Sequence, residues 1–253
     1  MAAWIKSTKN EIATLLTKLG KYYQTDEINY DLMKKYYLMA IDFECPYAMN
    51  NLGAYYHSIK KYDLAKTYYL MACELGCIDA MNNLGVYYQY IEVNEELMKK
   101  YLLMAINLNN CMAMLNFAEY YQHVEKNTEL MKKYYDMAIQ LKNVSAMKNL
   151  GLYYYESKDM QSAILYLNMA FKQDNRDFTI LEILVKLMSK QELKKIIQEY
   201  QRNKLYLLPY LDTIADECGI CLNNCNLIMM PNCEHRTCIK CHIKLEICPY
   251  CRA

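Results

Sequence analysis

Glycine and proline are scarce, six and four residues in a chain of 253, about a third of the ordinary share of roughly 12%. Barrels and sandwiches need many tight turns, so the scarcity excludes them and predicts helices joined by short polar links. No apolar run reaches the roughly 18 residues of a membrane span. The opening residues, MAAWIKSTKN, hold no stretch long enough for a secretory signal. Neither sign of charge is in excess, since 29 Lys and Arg against 28 Asp and Glu leave +1. Nucleic-acid binding asks for a basic surplus or stripe to neutralise phosphate, and none is visible. The expectation is an intracellular protein, cytoplasmic or nuclear, with no membrane span and no nucleic-acid partner.

What is present is a large apolar share, 54%, enough for a real core. The length suits one large domain or two smaller ones. Twelve cysteines are unevenly placed. Cys45, Cys73, Cys77 and Cys111 are scattered through the first 215 residues, and eight fall between Asp216 and Ala253. In a reducing compartment such a cluster points to metal rather than disulfides.

The first part repeats itself. AMNNLGAYY from Ala48, AMNNLGVYY from Ala80, AMLNFAEYY from Ala113 and AMKNLGLYY from Ala146 are one motif, at spacings of 32, 33 and 33. Between them a Tyr- or Leu-rich run ends in Met-Ala at Ala40, Ala72, Ala105, Ala138 and Ala170. A degraded first motif survives around Gly20. Five helix pairs fit this count. In the first motif a small residue recurs at Gly53, Gly85, Ala118 and Gly151. Glycine inside a helix costs about 1 kcal/mol against alanine, so its recurrence predicts a close approach of two helix backbones. In the second motif Leu97, Tyr101, Met104 and Ala105 mark an apolar face at helical spacing. One pair cannot bury its own face, so neighbours must stack.

The pattern A-x-x-x-L-G-x-Y-Y followed by K-x-Y-x-x-M-A, over roughly residues 10 to 173, resembles the Sel-1-like repeats, relatives of the tetratricopeptide repeats. The resemblance implies an all-α solenoid, a right-handed superhelix that serves as a protein-binding scaffold without chemistry of its own. Residues 1–173 then hold about five pairs, 174–205 form capping helices, and 206–215 are a linker. Residues 216–253 are a second, small domain.

That domain spaces eight metal ligands. Cys218, Cys221, Cys233, His235, Cys238, Cys241, Cys248 and Cys251 run C-x2-C, eleven residues, C-x-H, two residues, C-x2-C, six residues, C-x2-C. Zinc takes four N or S ligands in a tetrahedron, and each close pair supplies two. Eight ligands make two sites, each full, with no open position for a catalytic water. A segment this short has little core of its own, so metal would hold it together. Cys225 and His242 fall outside the spacing and read as bystanders.

The ligand order resembles a RING finger of the cysteine-rich type. In that family the pairs interleave, which implies one zinc on Cys218, Cys221, Cys238 and Cys241 and another on Cys233, His235, Cys248 and Cys251. Ile220, Leu245 and Pro249 match positions on the surface that binds a ubiquitin-conjugating enzyme. Arg252 matches the basic linchpin that bridges the conjugating enzyme and its ubiquitin, a role that suits a planar guanidinium. The resemblance implies a RING-type ubiquitin ligase, with the repeats holding an unknown protein substrate. The other reading is a non-enzymatic, zinc-containing interaction adaptor.

Three residue types in the repeats invite a functional reading. The four upstream cysteines behave as small hydrophobes, and His57 and His123, just past the Tyr-Tyr pairs, read as solvent-facing or capping. The 27 tyrosines fall mostly at helical core positions with the hydroxyl reaching solvent. Asn51, Asn83, Asn116 and Asn149 recur in mid-helix, where asparagine is a poor choice. They either line a substrate groove or are copies left by duplication.

Overall fold

The computed structural model describes residues 2–173, 177–189, 192, 227–229 and 236–238. The chain divides into two compact units, 1–142 and 143–253.

The first unit holds four helix pairs: α1 (Ala2–Thr25) with α2 (Tyr30–Ile41), α3 (Pro46–Ser58) with α4 (Tyr62–Glu74), α5 (Ile78–Tyr90) with α6 (Glu95–Asn107), and α7 (Cys111–His123) with α8 (Thr128–Gln140). The second holds a fifth pair, α9 (Val144–Glu156) and α10 (Met160–Gln173), then α11 (Phe178–Leu187) packed on α10. It also holds a short hairpin of β1 (Leu227–Met229) and β2 (Arg236–Cys238). The periodicity therefore maps onto pairs of helices as expected, and α11 falls in the segment expected to cap them.

The links explain how a chain so poor in glycine turns so often. Apart from the turn between α1 and α2, each link within a pair or between pairs carries one residue in the left-handed region: Glu44, Lys60, Gly76, Val93, Asn109, Lys126, Lys142 and Lys158. Only Gly76 adopts that conformation without a Cβ penalty. The side chains at most of the others are polar and solvated. Val93, with φ of 50°, is the costly one, because β-branched residues resist positive φ.

Asparagine then starts the helices. Asn29, Asn94 and Asn127 accept the backbone N–H three residues on at the start of α2, α6 and α8, and Asn110 does the same for α7. Such a cap is worth about 1 kcal/mol. Cys45 and Cys77 hold the position of Asn110 in the earlier pairs and make no side-chain cap. Pro46, already set for a helix, and Asp79, an acid at the positive helix end, stand beside them instead.

The recurring glycines make room for a facing side chain more than for a facing backbone. A Cβ on Gly20 would lie 2.5 Å from the Tyr37 ring, on Gly53 2.8 Å from Tyr69, and on Gly85 2.5 Å from Leu102. In the second unit a Cβ on Gly151 would lie 2.8 Å from Leu167. Backbone atoms come next, at 3.0 to 3.4 Å where they are close. The apolar face of α6 also sits one residue from its expected place. Met98, Leu102 and Ala105 are buried, whereas Met104 is exposed. Tyr101 sits at the edge of that face because its ring stacks on Tyr88.

Candidate functional site

Of the eight ligand positions, Cys238 alone falls on a described element. Its backbone pairs with Leu227 in an antiparallel hairpin whose register continues with Ile228 opposite Thr237 and Met229 opposite Arg236. Cys218, Cys221, Cys233, His235, Cys241, Cys248 and Cys251 lie outside the described residues, as do Ile220, Leu245, Pro249 and Arg252. By sequence, Cys233 and His235 belong to the six-residue segment that joins the two strands. The donor set, seven thiols and one imidazole, is the soft N/S chemistry that suits zinc. Among the described residues no group of three or more His, Cys, Asp or Glu is placed to hold a metal ion.

In the repeats the candidate residues fall into three rows. The first is aromatic. Tyr23 stacks on Tyr36, Tyr56 on Tyr68, Tyr88 on Tyr101 and Tyr121 on Tyr134, with ring centroids 5.5 to 5.7 Å apart and planes within 11°. Tyr154 on Tyr166 repeats the contact in the fifth pair, at 5.6 Å. One stacked tyrosine pair thus locks each first helix to its second. Offset stacks of this kind add about 0.5 to 1.5 kcal/mol beyond burial. Of the twin tyrosines read from the sequence as core, Tyr37, Tyr55, Tyr69, Tyr87, Tyr88, Tyr120, Tyr121, Tyr134 and Tyr135 are buried, whereas Tyr22 is exposed and the others are half-buried; what the sequence did not disclose is that they stack in a series.

The second row is charged. Lys66 on α4 reaches Glu92 beyond α5 at 2.5 Å, and its ammonium lies 5.9 and 5.4 Å from the centres of the Tyr87 and Tyr88 rings. One repeat on, Lys99 on α6 bonds Glu125 and Glu95 and lies 5.5 and 6.0 Å from the Tyr120 and Tyr121 rings. Donating hydrogen bonds to those carboxylates raises both lysines above their ordinary value, so they stay charged. Burial pushes the Tyr120 hydroxyl up to about 12 against the opposing charge of Lys99, with a smaller upward effect of Glu125. Each clamp joins one pair to the next by an ion pair laid over two aromatic faces.

The third row is the asparagines. Asn83 donates to the Oδ1 of Asn50 at 2.9 Å, and Asn116 donates to that of Asn82 at 2.8 Å. Asn82 also donates to Asn83 at 3.4 Å. The result is a line of amides from α7 through α5 to α3. Asn51 bonds the Tyr37 hydroxyl, which itself donates to Gln24 at 2.8 Å. Asn149 is half-buried on α9. The sequence singled out Asn83 and Asn116 but missed their acceptors, Asn50 and Asn82, one residue earlier in the preceding repeat. The doubled Asn-Asn at 50–51 and 82–83 was the signal. In the second unit Lys148 holds the place of Asn50 and bonds Asp177 at 2.5 Å. Burial works to raise the Asp177 carboxyl, but the bonds from Lys148 and Thr179 outweigh it and leave the group below its ordinary 3.8.

Three of the four upstream thiols are withdrawn from solvent or from reactivity. Burial, with smaller effects of Cys77 and Glu74, pushes Cys73 up to about 12, where the reactive thiolate is negligible at neutral pH. Cys45 and Cys77 are buried. His57 ends α3 with its ring edge-on to Tyr62, and His123 is exposed in the last turn of α7.

Helix pairs of this period, with a small residue under a bulky one in each pair, define the Sel1-like and tetratricopeptide-like repeat fold. Solved structures agree. A Sel1 repeat protein from Oxalobacter formigenes is similar with a TM-score of 0.58 at 19% identity, over 76% of this chain and 88% of that one. A protective antigen of uropathogenic Escherichia coli displaying an SLR fold reaches 0.60 at 18% identity, over 85% of this chain and 51% of that one. PilF of Pseudomonas aeruginosa reaches 0.58 at 16% identity, over 82% and 95%. No protein-family model matches the chain, and no curated protein does. None of the helices among the described residues is long and apolar enough to cross a membrane.

Proposed function

We propose that this chain is a RING-type ubiquitin ligase, in which the helical repeats bind a protein substrate and the segment from Cys218 to Cys251 recruits a ubiquitin-charged conjugating enzyme. The observation that carries the reading is the spacing of eight Cys and His donors in that segment. Cys218, Cys221, Cys238 and Cys241 would hold one zinc, and Cys233, His235, Cys248 and Cys251 the other. The zincs supply structure alone, since four protein ligands fill each of them. Ile220, Leu245 and Pro249 contribute the apolar surface for the conjugating enzyme. Arg252 donates to the enzyme and its ubiquitin together. No covalent intermediate forms on this chain. Catalysis comes from holding the thioester-linked ubiquitin in an attack-ready arrangement, which lowers the entropic part of the barrier.

The repeats suit a scaffold because stacked helix pairs offer an extended surface. Asn51, Asn83, Asn116 and Asn149 stay candidates for the substrate groove. The amides of Asn83 and Asn116 each keep a second N–H after the bonds described above.

The six-residue interval between Cys241 and Cys248, and Leu245 where the family often has tryptophan, favour a second reading, a non-enzymatic zinc-containing adaptor. Discharge of ubiquitin from a panel of charged conjugating enzymes separates the two. Ligase activity requires discharge by the intact chain and its loss in Ile220→Ala and Arg252→Ala, with zinc content and helical signal kept. A zinc-loaded chain that discharges nothing across the panel is the adaptor.

A further inference from the structure

The first helix carries an apolar stripe that faces solvent. Ile12, Leu15, Leu19 and Tyr22 are 40%, 60%, 41% and 46% exposed, while the opposite side of α1 buries Ala13 and Gly20 against α2. The repeat register explains what the stripe is. One period further on, Cys45, Ala48, Leu52 and Tyr55 hold the same four places on α3. All four are buried there, in a cluster with Met33, Tyr37 and Ala40 of the preceding pair. Ala80, Leu84 and Tyr87 on α5, and Ala113, Phe117 and Tyr120 on α7, are buried likewise. The stripe on α1 is therefore the docking face of a first helix, displayed without a docked neighbour among the described residues.

A copy of this chain cannot fill it by stacking head to tail through α10. Ala163, Leu167 and Ala170, which hold the places of Met33, Tyr37 and Ala40 on α10, are fully buried in the second unit, where α11 packs on that helix. The stripe on a second α1 is a partner of matching character. Its spacing suits such a partner: Thr8, Ile12, Leu15, Leu19 and Tyr22 alternate steps of four and three, the seam of a two-stranded coiled coil. The length of α1, 24 residues or about 36 Å at 1.5 Å per residue, gives such a seam several layers.

We propose that two copies of this chain pair through α1 in antiparallel orientation about a two-fold axis. Full overlap of the helices sets Ala2 of one copy opposite Thr25 of the other. The same register sets Ile12 opposite Leu15 of the second copy and Thr8 opposite Leu19, each contact made twice. It also answers the charges beside the seam. Glu11 and Lys18 stand seven residues apart on one edge of the stripe, both exposed, and the antiparallel register sets Glu11 opposite Lys18 of the second copy, again twice. Within its own helix Glu11 takes only a 3.3 Å bond from the Ser7 hydroxyl. Sliding one heptad along would match Leu15 with Leu19 but set Lys18 against Lys18, so the charges select full overlap. The pairing is independent of the ligase reading, because it uses nothing beyond α1.

Sedimentation equilibrium of the full chain over a concentration series tests it. The intact chain sediments as a dimer, and Leu15→Lys with Leu19→Lys gives a monomer of unchanged helical signal whose melting temperature no longer depends on concentration. Glu11→Lys weakens the dimer roughly five- to tenfold, two attractive pairs having become repulsive. Adding Lys18→Glu to it restores the affinity, which no effect on folding would do. A chain that stays monomeric throughout, a dimer that survives Leu15→Lys with Leu19→Lys, or a charge swap as weak as Glu11→Lys alone would each overturn the proposal.

Discussion

On the proposed reading, residues 10–173 and residues 216–253 solve the problem of holding a chain together in opposite ways. In the repeats each task recurs at a fixed place: a small residue under a bulky one, two tyrosines face to face, a lysine clamped over the next tyrosines, an amide passed between first helices. No single contact decides the fold, because each neighbouring pair offers nearly the same set. Between Cys218 and Cys251 nothing recurs except the donors, and the segment is too short to bury much apolar surface. In the proposed two-zinc reading a few strong bonds to metal hold it instead. Redundancy makes the repeats tolerant. The proposed ligand set has no spare member.

The largest difference should therefore appear on chelation. A strong zinc chelator is expected to abolish ubiquitin discharge while circular dichroism at 222 nm, a wavelength that reports helix, falls by less than about a tenth, since the helices bury their own core. Loss of most of the helical signal would break the contrast. Next comes Gly85→Leu, which forces a side chain into the space of Leu102. It should cost about 3 kcal/mol by overpacking, measured by urea unfolding, and a loss below about 1 kcal/mol would show that the groove yields.

Smaller effects probe the rows. Asn50→Ala and Asn83→Ala, combined in a double-mutant cycle, should show a coupling of about 1 kcal/mol. Zero coupling would free these amides for a ligand. Val93→Gly should raise stability by about 0.5 to 1 kcal/mol, because it relieves a positive φ at a site where little burial is lost. A drop in melting temperature would mean that the valine side chain matters more than its backbone.

The period made the five helix pairs legible, because apolar positions that must meet a neighbour recur at a fixed interval. Details that depend on which side chain faces which were less so. The glycines at Gly20 and Gly53 reported a space, and the sequence did not disclose that a tyrosine ring rather than a backbone fills it. Asn83 stood out by its recurrence, but its acceptor Asn50 belongs to a different row of the alignment, so a column-by-column reading passes over the pair. Met104 recurs with the Met-Ala motif and is exposed all the same, since motif copies preserve a residue whether or not its face is buried. The proposed zinc ligands stand out for the opposite reason: coordination would fix donor type and spacing so tightly that the pattern shows without any repeat. An exposed docking face such as the stripe on α1 emerges only when the repeat register is laid over burial.

The central claim is that the last 38 residues are organised by two metal ions, and native metal analysis of the full chain tests it most directly. Purified without added metal, the chain should carry close to two zincs, and Cys233→Ala should lower that content while leaving the helical signal of the repeats in place. A folded chain that binds no zinc, even when zinc is supplied to the reduced thiols, would contradict the account.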